Sequence, residues 1–182
     1  MTDITFLQLR PADSVNEIWA STRRREGTLV VEVPSPTPSD VLDAQKGGLI
    51  LASGDGTIVA PAYVINPSHV KAITKQQVAG WRVTILDDGS RMDVLNALSF
   101  TRARFLRTSR STVSAAVELV SLPSSEAVVS VFVDGVDDAL DAVGMGAKDL
   151  LLRDWDTERI GELRDALRGQ GLVERGPFPL DT

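Results

Sequence analysis

Residues 127–133, AVVSVFV, read as a continuous apolar strand of the kind that is covered on both faces. A short helix, VDDALDAV, follows, and GMG then leads into a second apolar strand, KDLLLRD. TERIGELRDALRGQG is next, with Thr157 as cap, Ile160, Leu163 and Leu167 on one face, and Gly169 or Gly171 as stop. Two doubly covered strands joined by a helix must lie parallel, with a right-handed crossover between them. The end of the chain is therefore β-α-β-α, and this limits the whole to a mixed α/β architecture.

The opening reads the same way. ITFLQL (4–9) is a strand. Pro11 precedes a helix with Val15, Ile18, Trp19 and Thr22 on one face, in which Ser14 and Glu17 have capping-box spacing. TLVVEVP is again a strand, so the start is β-α-β. PSPTPSD breaks the pattern, and Ser39 or Asp40 then caps a short helix, VLDAQK. LILAS, the turn GDG and TIVAPAYVI predict a hairpin. HVKAIT, WRVTIL, RMDVL and ARFLRT have strand length, and Asp87-Asp88-Gly89 predicts a second hairpin turn between WRVTIL and RMDVL. Residues 111–122 fit both a helix and a strand, and the helix is preferred. The expected organisation is a β-α-β segment at 1–53, a β-rich hairpin unit at 54–110, a β-α-β-α segment at 111–172 and an irregular tail at 173–182, all of which can belong to one domain. The two ends can share one sheet, with the middle inserted.

Composition removes several functions. With no cysteine there is no disulfide, thiolate metal site or cysteine nucleophile. His69 is the single histidine, which rules out a multi-histidine metal site within one chain, and no nucleophile–base pattern surrounds it. A formal net charge of −6 disfavours nucleic acid and anionic membranes. No apolar run reaches the length of a membrane span, and MTDITFLQLR does not read as a signal peptide, so a soluble cytoplasmic protein is expected. The cysteine-free composition agrees with a reducing compartment.

Two groups of residues are candidates for chemistry or binding. Ligands of parallel sheets sit beyond the carboxyl ends of the strands. Asp134, Asp137 and Asp138 follow the strand at 127–133, and Arg153, Asp154 and Asp156 follow the next one. As neighbours they would share one edge, where grouped carboxylates can hold Mg²⁺ or an amine, or do acid–base work. As helix caps they would do none of these. The second group, Arg102, Arg104, Arg107 and Arg110, suits phosphate or an acidic patch on a partner or a second copy, unless it is a solvated face.

Two resemblances arise at these residues. INPSHVKAIT together with WRVTILDDGSRMDV resembles the strand–linker–hairpin unit of small flagellar regulators and LytTR-type DNA-binding domains, and Arg102–Arg110 follow where basic residues would be expected. The resemblance implies a DNA-binding regulator. GMGAKDLLLRDWDTERIGELRDAL is similar to the last β-α unit of response-regulator receivers and of many (β/α) enzymes. Neither resemblance assigns a role to a particular residue.

The leading expectation is a non-enzymatic binding or assembly protein, with a protein partner or a second copy of itself contacting the β-rich middle. The alternatives are a small α/β enzyme or ligand-binding domain using the strand-end carboxylates, and the DNA-binding regulator. Whether the chain is an enzyme stays open, and no cofactor or metal is indicated.

Overall fold

The computed structural model describes residues 2–11, 29–47, 50–52, 58–60, 62–72, 82–123 and 125–175. Ten strands occur among them: β1 (Thr2–Pro11), β2 (Leu29–Glu32), β3 (Ile50–Ala52), β4 (Ile58–Ala60), β5 (Ala62–Ile65), β6 (Arg82–Leu86), β7 (Phe105–Arg107), β8 (Val128–Val133), β9 (Asp149–Arg153) and β10 (Leu172–Arg175). The helices are α1 (Pro38–Gly47), α2 (Arg91–Thr101), α3 (Val113–Val120), α4 (Val136–Gly144) and α5 (Thr157–Gly169).

Pairing runs β4-β3-β2-β1-β9-β8-β7-β6-β5, with β10 also against β1. Every pair is parallel except β3–β4. The two ends of this path are themselves chain neighbours, because β4 stops at Ala60 and β5 begins at Ala62. A sheet whose two edges meet has curled round on itself. Around the ring β1, β2, β3, β5, β6, β7, β8 and β9 follow one another in chain order, and β9 closes onto β1. This is the strand order of a (β/α)8 barrel, with β4 as an extra antiparallel strand that pairs with β3 and leads at once to β5. The expected sharing of one sheet by the two ends is present in the β1–β9 pair. Strands from all three expected segments belong to that one sheet.

Each βα unit follows from its residues. In β8, Val129, Val131 and Val133 are buried in a single apolar core that also holds Ala116 and Leu119 of α3, Ala139 and Ala142 of α4, and Ile160, Leu163 and Leu167 of α5. Leu150 and Leu152 of β9 and Val83 and Ile85 of β6 join the same core. Each of these valine, leucine and isoleucine side chains contributes about 1.5–3 kcal/mol when fully buried. Helix α4 ends in a Schellman motif: the Gly146 N–H donates to the Val143 carbonyl at 2.9 Å and the Ala147 N–H to the Ala142 carbonyl at 3.0 Å. Gly146 has φ +111°, and a Cβ there would meet Val117 of α3 at 2.9 Å, so backbone angle and packing both require glycine.

Five local expectations need correction. Asp87-Asp88-Gly89 does not close a hairpin. It ends β6 and leads to Ser90, whose hydroxyl accepts from the Asp93 N–H at 3.1 Å and starts α2, so RMDVL is helical. With that hairpin goes the structural basis of the LytTR-type resemblance. HVKAIT is not a strand, since a 3₁₀ turn spans Pro67–Ala72 and includes His69. The hairpin expected from LILAS and TIVAPAYVI is present in the antiparallel β3–β4 pair, but it stops at Ala60, and Ala62–Ile65 form a separate strand, β5, paired with β6. Helix α1 is capped by Thr37, not by Ser39 or Asp40: the Asp40 N–H donates to the Thr37 hydroxyl at 3.2 Å, and the Asp40 carboxylate accepts from the Thr37 N–H at 2.9 Å. Pro38 fills the first helical position, where no N–H is needed. Residues 173–175 of the expected irregular tail belong to β10, which spans Leu172–Arg175. Residues 111–122 are resolved in favour of helix, as α3. The expected helix after Pro11 and the GDG turn lie outside the described residues.

Candidate functional site at the carboxyl mouth of the barrel

Strand alternation separates two faces of the barrel wall. Val129, Val131 and Val133 of β8 and Leu150 and Leu152 of β9 face the helices. The alternate residues Ser130 and Phe132, and Asp149, Leu151 and Arg153, therefore face the barrel axis. By the same reasoning so do Thr84 on β6, Phe105 and Arg107 on β7, and Thr5 on β1, whose neighbours Ile85, Leu106 and Ile4 belong to the outer core. Barrel interiors of this kind are dominated by bulky branched residues. This one carries a polar row: Arg107 lies beside Ser130, Ser130 beside Asp149 and Asp149 beside Thr5 across four consecutive strands. Asp149 is fully buried and its Oδ1 accepts from the Thr5 hydroxyl at 2.6 Å.

Above this row, at the carboxyl ends of β7, β8 and β9, two cations meet one ring. The Arg153 guanidinium lies 4.8 Å from the centroid of Phe132 and that of Arg107 lies 5.8 Å from it. Phe132 is half-buried and Arg153 exposed. A guanidinium is a planar fork of N–H donors, which suits bidentate contact with carboxylate or phosphate.

The rim around this pair is built from the adjoining loops. After β7, the Thr108 hydroxyl donates to Asp87 at 2.8 Å and also contacts the Thr112 hydroxyl, while Ser109 contacts Thr112 at 2.9 Å. After β5, the Asn66 amide donates to Asp88 at 2.8 Å. Arg110 forms an ion pair with Asp138 at 2.7 Å, and the other Asp138 oxygen accepts from the Asp134 N–H at 3.0 Å. Burial pushes the Asp138 carboxyl upward, but the Asp134 N–H and the Arg110 charge outweigh it and hold the group below its ordinary value. Arg159 lies 4.4 Å over Trp155 and donates to the Asp134 carbonyl at 2.7 Å, tying the loop after β8 to helix α5.

The sequence candidates divide accordingly. Asp134, Asp137, Asp138, Arg153, Asp154 and Asp156 do share the carboxyl edge of the neighbouring strands β8 and β9. They do not gather as ligands. Asp138 is committed to Arg110, and Asp156 is the cap of α5, accepting from the Arg159 N–H at 2.8 Å. Asp137 lies in the first turn of α4, and Asp154 is exposed with a left-handed backbone at φ 55°. Among the described residues no group of three or more carboxylates or histidines could hold a metal ion. The arginines do not form one patch. Arg102, in a left-handed C-cap, and Arg104 lie at the amino end of β7, whereas Arg107 and Arg110 lie at its carboxyl end. What the structure unites is one member of each group, Arg107 and Arg153, on either side of Phe132. Sequence reading missed Phe132 and Ser130. The signal was present, since Ser130 is the one polar residue inside AVVSVFV. Two surface depressions lie elsewhere, on the amino side, one lined by Leu98, Ser99, Arg102, Ala103, Pro123 and Glu126 and one by Arg164, Leu167, Arg168, Leu172 and Val173.

No protein-family model matches this chain, and no curated protein matches it. Solved structures do. A cube-shaped, highly porous protein cage designed by fusing symmetric oligomeric domains is 13% identical with a TM-score of 0.53, over 92% of this chain and 73% of the cage chain. The YdjI aldolase of Escherichia coli K12 is 7% identical with a TM-score of 0.47, over 92% and 81% of the two chains. The 3-dehydroquinate dehydratase of Aquifex aeolicus VF5 is 10% identical with a TM-score of 0.45, over 92% and 87%. The likeness to the cage chain supports the α/β fold alone. Among the described residues no helix is long and apolar enough to cross a membrane.

Proposed function

We propose that this chain is a ligand-binding α/β barrel that takes a small organic anion at its carboxyl mouth, between Arg107 and Arg153. The observation that carries the reading is the pair of guanidinium groups at 5.8 and 4.8 Å from the Phe132 ring, at the strand ends where barrels of this connectivity place their ligands. This is the second of the sequence expectations with its chemistry changed: the strand-end site is cationic at its centre, and its carboxylates serve as caps and ion-pair partners. An assembly role through the four arginines lacks a common surface, because they lie at opposite ends of β7.

Calorimetric titration with phosphate, phosphate monoesters and small carboxylates tests the reading. A bound anion raises the melting temperature by linkage, and Arg153→Ala weakens binding by at least about tenfold. Absence of binding by every anion, or binding indifferent to Arg153, overturns it.

A further inference from the structure

Two hydroxyls inside the barrel distinguish this interior from ordinary packing. Ser130 and Thr84 are both 0% exposed, and neither Oγ atom finds a hydrogen-bond partner among the described residues. Both side chains face the barrel axis, on strands that flank β7. Ser130 lies beside Arg107 in the ladder, and Phe132 lies two residues nearer the mouth on the same face. A buried hydroxyl without a partner forfeits the hydrogen bonds it makes to water when unfolded, so it works against folding. A barrel built for packing alone would carry alanine and valine at these positions. Thr84 lies deeper, beside Phe105 in the ladder. Groups that oppose stability and face the interior beneath a site are the signature of a site shaped for something that completes them.

We infer that the ligand of the arginine pair carries a hydroxyl or carbonyl oxygen next to its anionic group, and that Ser130, seconded by Thr84, is a specificity-determining residue that reads this oxygen. The inference rests on the proposed anion site and deepens it. The anionic group takes the guanidinium edges at the mouth. The neutral oxygen passes beneath Phe132 into the polar row, displacing the looser of the two ring contacts, that of Arg107 at 5.8 Å. A site that hydrogen-bonds such an oxygen rejects the analogue lacking it, because the analogue leaves the buried partner unsatisfied.

Paired probes of equal charge test this: glycerol 3-phosphate against propyl phosphate, and glycerate against propionate, titrated into the full chain. In the better-bound pair the hydroxylated member binds at least tenfold more tightly to the wild type. Ser130→Ala brings this ratio close to one and leaves the affinity of the deoxy probe unchanged. The ligand-free melting temperature of Ser130→Ala equals or exceeds that of the wild type, as does that of Thr84→Val, which tests the second hydroxyl independently. A ratio near one in the wild type, a ratio preserved in Ser130→Ala, or a lowered melting temperature in both variants overturns the inference. If the probes bind without discrimination and Arg153→Ala still weakens them, the anion site stands and the reader of the hydroxyl falls. If no probe binds, both fall.

Discussion

The two faces of β8 and β9 are opposite in chemistry although they belong to the same ten or so residues. Outward, Val129, Val131, Val133, Leu150 and Leu152 present an unbroken apolar surface to three helices. Inward, Ser130, Phe132, Asp149, Leu151 and Arg153 present a hydroxyl, a ring, a carboxylate, a leucine and a guanidinium. The outer face is an ordinary core, in which any well-fitting hydrocarbon would do. The inner face is not chosen for packing, because it buries groups that must be satisfied one by one. Hydrocarbon packing is thus concentrated on one side of the wall and polar side chains on the other.

Substitutions on the two faces can break or sharpen that division. The largest effect is expected outside: Leu152→Ala, at a fully buried position, costs about 2–5 kcal/mol in chemical denaturation. A cost below about 1 kcal/mol would show that the helix-facing core is not where the stability lies. Inside, Thr5→Val removes the 2.6 Å donor to buried Asp149 and is expected to cost about 1–3 kcal/mol despite conserving shape. A neutral outcome there would mean that the inner polar row tolerates apolar replacement and resembles the outer face after all.

The smallest effect belongs to the rim. Arg110 and Asp138 each keep 29% of their side-chain surface, so Arg110→Ala costs about 0.2–1 kcal/mol. The folded-state value of Asp138 lies below the ordinary 3.8, so the unfolded chain takes up this proton first as pH falls. The pair's contribution is therefore fully present above that ordinary value and disappears as pH drops through the lower folded one. The stability gap between wild type and Arg110→Ala should accordingly be constant near neutrality and close below about pH 4. A gap that persists in acid would mean that packing of the arginine stem, not the ion pair, supplies it.

How much of this was legible in the sequence follows from the same division. The outer face announces itself: the apolar runs 127–133 and 150–152 and the spacing of Ile160, Leu163 and Leu167 point to two strands and a helix. The expectation for RMDVL failed because the Asp-Gly turn signal confined attention to five residues. Continued to residue 101, Val94, Ala97, Leu98 and Thr101 mark one buried helical face. The inner face hides itself, because in a strand buried on both sides hydrophobicity does not say which side chains look inward. That depends on closure of β9 onto β1, a contact between distant parts of the chain. Hence Arg153 and Arg107 appeared in two unrelated groups, and Phe132 in none.

That closure sets a kinetic burden. Thr5 and Asp149 are separated by 144 positions, and β1 pairs also with β10 at the far end of the described chain. During synthesis β1 leaves the ribosome long before β9 or β10 exists, with its ladder groups on that side open. Contacts so distant make folding slow and expose the nascent chain to edge-to-edge association. Shortening the chain before β9 would leave β1 with an open flank, so β1 depends on strands made long after it.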